Sequence, residues 1–175
     1  MTDIGQILLA EYEQIKQEQR ARIGFRDNLI YATIGVKAAV IGSTMARGVH
    51  LEMLLLLPPL SVLLGWTYLV NDEKISAVGR YIRNALAPRL QALTPERSEV
   101  FGWESVHRHD LHRVSRKRFQ LAVDLMTFCG SPLAALTVFW LNGPAHWPLL
   151  LVSAAEVAAI VSLAIQVVRY AELGP

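Results

Sequence analysis

Four stretches of this chain are almost bare of charge, and each has about the length of a bilayer span. They cover residues 28–46, 51–70, 119–141 and 148–168. A helix rises 1.5 Å per residue, so about 20 apolar residues cross a hydrocarbon core of about 30 Å. Lys37 is the one charge in the first stretch, and Glu52 stands at the edge of the second. Asp124 lies in the third and Glu156 in the fourth. Core helices of a soluble bundle are apolar along one stripe. The segments LLLLPPLSVLLGWTYLV (54–70) and LLLVSAAEVAAIVSLAIQVV (149–168) are apolar all round. Hydrophobic residues make up 53% of the chain and charged ones 18%, against about 25% charged in an ordinary soluble domain. The pattern excludes a soluble globular enzyme. The expected fold class is all-α: a polytopic membrane protein with four transmembrane helices as two hairpins and cytoplasmic helical extensions.

Loop lengths set the pairing. Spans one and two are joined by residues 47–50, and spans three and four by NGPAHW (142–147). Links this short make antiparallel hairpins. Lys and Arg set the orientation, because they concentrate on the cytoplasmic side. Residues 1–27 hold Lys16, Arg20, Arg22 and Arg26, residues 71–118 hold ten more, and the two short loops hold Arg47 alone. Both termini and the long link are therefore expected in the cytoplasm. The chain then divides into a cytoplasmic N-terminal helix (1–27), transmembrane hairpin one (28–70), a cytoplasmic helical link (71–118), transmembrane hairpin two (119–168) and a short tail (169–175). The polar residues ahead of span one predict an uncleaved anchor rather than a signal peptide. Cys129, the single cysteine, falls inside span three, where a packed small hydrophobe is expected.

The segments outside the membrane read as helices. Ile4, Ile7, Leu8, Tyr12 and Ile15 recur at steps of three and four, and Glu18 and Arg22 sit at ion-pair spacing. Two readings stand side by side: an oligomerisation stalk, or an extension of span one packed on the link. In the link, Asn71 or Asp72 is expected to cap a helix that either lies along the inner surface or continues span two. Pro88 and Pro95 are expected to break it. Residues 104–118 resume a helical pattern and carry HRHDLHRVSRKRF (107–119).

His107, His109 and His112 invite comparison with a metal site. Their order with Asp110 is HxHDxH, however, and on a helix only His109 and His112 share a face. Two ligands hold a metal weakly without a third. The expectation is a basic, pH-responsive juxtamembrane helix with no metal and no cofactor. Arg113, Arg116 and Lys117 anchor the inner face, attract anionic lipid or dock a partner. Together with Arg80, Arg83 and the three histidines they form the candidate cytoplasmic partner or ligand surface. Nucleic acid is not expected as the main ligand, since no reading fold surrounds the patch.

Lys37, Asp124 and Glu156 are the candidate intramembrane polar site. An ionised group at mid-depth normally faces the bundle and finds a partner. Depth arithmetic at 1.5 Å per residue puts Lys37 and Glu156 within about a turn of each other. Span one carries Gly35, Ala38, Ala39, Gly42 and Ser43, and span four carries Ala154, Ala155, Ala158, Ala159 and Ser162. Small residues at these spacings permit close approach. The expectation is that spans one and four touch and that Lys37 pairs with Glu156, within one chain or between chains. Asp124, nearer the inner edge, suits Arg26, Lys74 or Arg118. The rival reading makes Glu156 a proton or cation site. Pro58 and Pro59 in span two, and Gly130 and Pro132 in span three, are candidate kinks or gates, because proline removes a backbone hydrogen bond. No P-loop, GxSxG, CxxC or HExxH motif is present, and no enzyme is expected.

With four spans and cytoplasmic helices, and with the string GWTYLVNDEKISAVGRYIR at residues 65–83, the chain resembles small four-span bacterial inner-membrane proteins that serve as effectors or accessory subunits of defence (conflict) systems. That resemblance implies a homo-oligomer in the lipid bilayer whose spans form or gate a permeation path when a cytoplasmic protein partner or nucleotide signal engages it. The alternatives are a stand-alone small transporter or ion channel, and a membrane scaffold for a soluble partner.

Overall fold

The computed structural model describes residues 3–46, 50–93, 113–144 and 146–171. Every element among them is helical. Helix α1 spans Asp3–Ala46 without interruption. A 3₁₀ turn, Leu51–Leu56, leads into α2, Leu57–Tyr81. A π turn, Ile82–Leu86, joins α2 to α3, Ala87–Ala92. Helix α4 spans Arg113–Leu125, a second π turn Met126–Gly130, α5 Ser131–Asn142 and α6 Trp147–Tyr170. Four continuous helical runs are long and apolar enough to cross a membrane: Asp3–Ala46, Leu51–Ala92, Ser115–Asn142 and Trp147–Tyr170. The first two, of 44 and 42 residues, are about twice the length that a hydrocarbon core requires.

The chain divides into two compact units, residues 1–27 with 70–113, and residues 28–69 with 114–175. In the first, the N-terminal part of α1 packs against the C-terminal part of α2, the first π turn and α3. Asn71 Nδ2 donates to the Arg22 carbonyl at 2.7 Å, Gln19 Nε2 to the Ile75 carbonyl at 3.3 Å, and the Tyr81 hydroxyl to Glu11 Oε1 at 2.5 Å. Leu8, Leu86 and Leu90 form a buried cluster with Tyr12 beside it. Numbers fall along α1 as they rise along α2, which is the register of an antiparallel pair. Of the two sequence readings, the structure shows the extension packed on the link. Ile4 and Ile7, at the start of the apolar stripe, stay exposed.

The link differs from its expectation at two points. No helix starts at Asn71 or Asp72, because α2 runs straight through them. Asn71 spends its side chain on α1 instead of on a cap. Nor does Pro88 break the helix. Ala87 N–H reaches back five residues to the Ile82 carbonyl, and the widened turn seats Pro88 in the first turn of α3, where a missing N–H costs nothing.

In the second unit the core joins Leu29, Leu55, Tyr68, Leu69, Phe128, Cys129, Leu136, Phe139, Ile160, Leu163 and Val167. Gly65 marks a close approach between elements. A Cβ there would lie 2.9 Å from Leu163 Cδ2 and 3.0 Å from Phe128 Cβ. Only glycine lets α2 sit this near α6 and the third span.

Candidate functional site

The polar residues of the second unit are built on its proline-adjusted helices. In the third span, Pro132 has no N–H for the Phe128 carbonyl four residues back. The helix responds with a π turn in which Ser131 N–H closes on the Met126 carbonyl. The Thr127 carbonyl then loses both usual donors, since Ser131 N–H is spent and residue 132 is proline. Two side chains replace them. Lys37 Nζ donates to the Thr127 carbonyl and, at 2.6 Å, to Ser131 Oγ. Ser131 Oγ itself donates to the Thr127 carbonyl at 2.8 Å. The Lys37 ammonium also stands 5.9 Å from the centre of the Phe128 ring, within cation–π range.

Lys37 therefore does not pair with Glu156 inside the chain. Side chains lean toward the N-terminus of their own helix. The two short links make spans one and four antiparallel, so Lys37 leans toward one end of the bundle and Glu156 toward the other. A small difference in depth at the Cα atoms grows toward the charged ends. The small-residue faces do not meet either. Gly35, Ala38, Ala39, Gly42 and Ser43 lie outside the buried core, and so do Ala154, Ala155, Ala158 and Ser162. A Cβ on Gly35 or Gly42 would touch nothing within 4 Å. The inward stripe of span one is instead Leu29, Thr33, Lys37, Val40 and Thr44. An open groove of about 260 Å³ borders the small-residue face, lined by Ala39, Val40, Ser43, Met53 and Leu56.

Glu156 faces inward on the stripe that carries Ser153, Ile160 and Leu163. Among the described residues, two buried side-chain polar atoms lack a hydrogen-bond partner: Glu156 Oε2 and Ser61 Oγ. Asp124 is half-buried on α4. Arg26, one of its expected partners, bonds Asp72 at 2.8 Å and Asp27 at 3.3 Å.

Pro58 and Pro59 stand where span two changes from a 3₁₀ turn to an α-helix. The chain enters as a 3₁₀ turn in which Leu57 N–H bonds the Leu54 carbonyl, and both prolines fall in the first turn of α2. Gly130 closes the π turn and Pro132 is fully buried in the first turn of α5.

On the candidate cytoplasmic surface, Arg80 bonds Glu73 at 2.9 Å and Arg83 donates to Asn84 Oδ1 at 3.1 Å. Arg116 is exposed and Lys117 half-buried on α4. His107, His109, His112 and the Arg113 side chain lie outside the described residues, as does Pro95. No group of three His, Cys, Asp or Glu side chains able to hold a metal occurs among the described residues. The Tyr81 phenol is held above its ordinary range, chiefly by its hydrogen bond to Glu11, with partial desolvation and the Glu11 charge adding and Arg89 opposing.

Sequence reasoning missed Thr127, Ser61 and Gly65. The signal for Thr127 was present, because a proline at 132 deprives carbonyls four and five residues upstream. Ser61 and Gly65 depend on which helices become neighbours.

No protein-family model, curated protein or solved structure matches the chain.

Proposed function

We propose that this chain is a homo-oligomeric effector or accessory module of a bacterial inner membrane, with both termini cytoplasmic, that forms or gates a permeation path. The first unit receives a cytoplasmic partner or signal, and the four spans respond. The observation that carries this reading is the inward placement of Lys37 and Glu156 among spans of which the third is widened by a π turn ahead of Pro132. A plain anchor needs neither intramembrane charge nor π turns, and both are costly in lipid unless something uses them. The Lys and Arg distribution supports the orientation, and the exposed small-residue faces suit contact between copies.

Reconstitution tests it. Protein in liposomes is assayed for ion flux with a potential-sensitive dye, and intact bacteria expressing the chain are assayed for depolarisation. Depolarisation in cells alongside tight liposomes supports a triggered effector. Silence in both systems sinks the permeation reading and leaves a scaffold.

One observation favours a second reading, the stand-alone transporter or channel. Lys37 is engaged on span three, and Glu156 Oε2 has no hydrogen-bond donor among the described residues. Flux from purified protein alone distinguishes this reading from the first.

A further inference from the structure

Ser61 and Glu156 belong together by position. The Gly65–Leu163 contact fixes the level of α2 against α6. Both helices run the same way along the bundle, since each follows the short link of its hairpin. Ser61 is four residues outward of Gly65, and Glu156 is seven outward of Leu163. At 1.5 Å per residue their Cα atoms differ in level by about 4.5 Å, at 100° per residue each remains on its contact face, and both side chains lean outward along parallel helices, the longer Glu156 further. Ser61 is therefore about level with Ile160, which is fully buried, and Glu156 is about one turn further out, level with Pro58.

The Ser61 hydroxyl is anomalous among its kind. Thr33, Thr44, Thr67, Ser131, Thr137 and Ser162 each donate to the carbonyl four residues back. This is the default for a hydroxyl in an apolar helix. Ser61 is 1% exposed and makes no such bond. Two buried oxygens without a partner among the described residues, the Ser61 hydroxyl and Glu156 Oε2, thus lie within about one turn of each other in level. Buried oxygens left in this state are normally solvated by ordered water or an ion.

We propose that Ser61 and Glu156 form a hydrated site for a small monovalent cation, a proton or an alkali ion, between α2 and α6. The donor set is all oxygen and carries one negative charge, which balances one positive charge and not two. Among the described residues, the other titratable groups turned toward the bundle are Lys37 from α1, Tyr68 from α2, Asp124 from α4 and Cys129 from the π turn. Lys37 is committed to Thr127 and Ser131. Tyr68 shares a hydrogen bond with Gln120 at 3.4 Å. Binding requires no transport, so the site stands or falls separately from the permeation reading.

The test reads occupancy directly. Full-length protein in nanodiscs is treated with a hydrophobic carbodiimide, which attacks protonated carboxyls in apolar surroundings, and the Glu156 adduct is quantified by peptide mass spectrometry. The reaction is run across pH, with sodium chloride or choline chloride. Glu156→Gln fixes the background. The expected result is an adduct at Glu156 that falls as pH rises. Protection by sodium over choline identifies an alkali ion, and dependence on pH alone identifies a proton. Ser61→Ala then shifts the protecting sodium concentration about tenfold, or the pH midpoint by about one unit, as loss of one ligand to a charged group predicts. Ser61→Thr keeps the hydroxyl and behaves as the parent, which separates ligand loss from misfolding. No adduct at any pH overturns the proposal, and so does an adduct that responds alike in parent and Ser61→Ala.

Discussion

Lys37 Nζ caps the Thr127 carbonyl across the bundle, at the one turn of span three where Pro132 leaves that oxygen without a backbone donor. The pairing of a lysine with a carbonyl, rather than with a carboxylate, decides which substitutions should couple. Lys37→Met removes the donor and leaves a part-buried acceptor with the Ser131 hydroxyl alone, at a cost of about 1 kcal/mol. Pro132→Ala restores an N–H to residue 132 and lets the turn close without help. In that background Lys37→Met should cost markedly less. Thermal unfolding in detergent of both single variants and the double variant measures the coupling. Additive losses would refute the link.

Glycines in the spans should fall into two classes. Gly65→Ala drives a Cβ against Phe128 Cβ, which cannot swing away, and overpacking of this kind costs about 1–3 kcal/mol. Gly35 and Gly42 have open space. Gly35→Leu and Gly42→Leu should leave the melting temperature of the monomer near the parent value. For a homo-oligomer joined through this face, they should abolish assembly in native mass spectrometry.

Tyr81 gives the first unit an alkaline limit. Its folded pKa is raised above the ordinary tyrosine value of about 10. The hydrogen bond to Glu11 is therefore fully present below that pH, and its contribution is lost as pH rises through the folded pKa. Tyr81→Phe should flatten the alkaline arm of the stability profile. A spectrophotometric phenolate titration should show one tyrosine moving back toward the ordinary range in Glu11→Gln.

Among the described residues, Leu8, Leu86 and Leu90 form the buried apolar cluster of the first unit's antiparallel pair. Leu86 is fully buried against Leu8 and Leu90. Leu86→Ala should cost about 2–5 kcal/mol. Hydrogen exchange should rise first at the amides of residues 5–15 and 82–92, and leave those of the spans unchanged.

The spans were legible because bilayer thickness and apolar run length are both one-dimensional quantities. So was the inward turn of Lys37 and Glu156, which follows from the cost of charge in lipid. Lateral arrangement was not. Depth arithmetic set Lys37 beside Glu156 because it counted Cα levels and omitted the opposite lean of the side chains. It also counted only charged partners, although the acceptor that holds Lys37 is a carbonyl made available by a proline. Helix breakers misled in the same way. Pro88 and Asn71 look like boundaries locally, but a π turn absorbs the first and a tertiary hydrogen bond employs the second.

The two exposed small-residue faces lie on different helices, one on span one and one on span four. Copies that joined face to unlike face would be related head to tail rather than by a two-fold axis. Such a contact uses one face of each copy per junction and always leaves the other available. It ends only when the rotation between neighbours divides a full turn and the assembly closes into a ring. Any other rotation propagates along the bilayer. For the proposed homo-oligomer, the number of copies is then a question of angle between neighbours rather than of how tightly any two adhere.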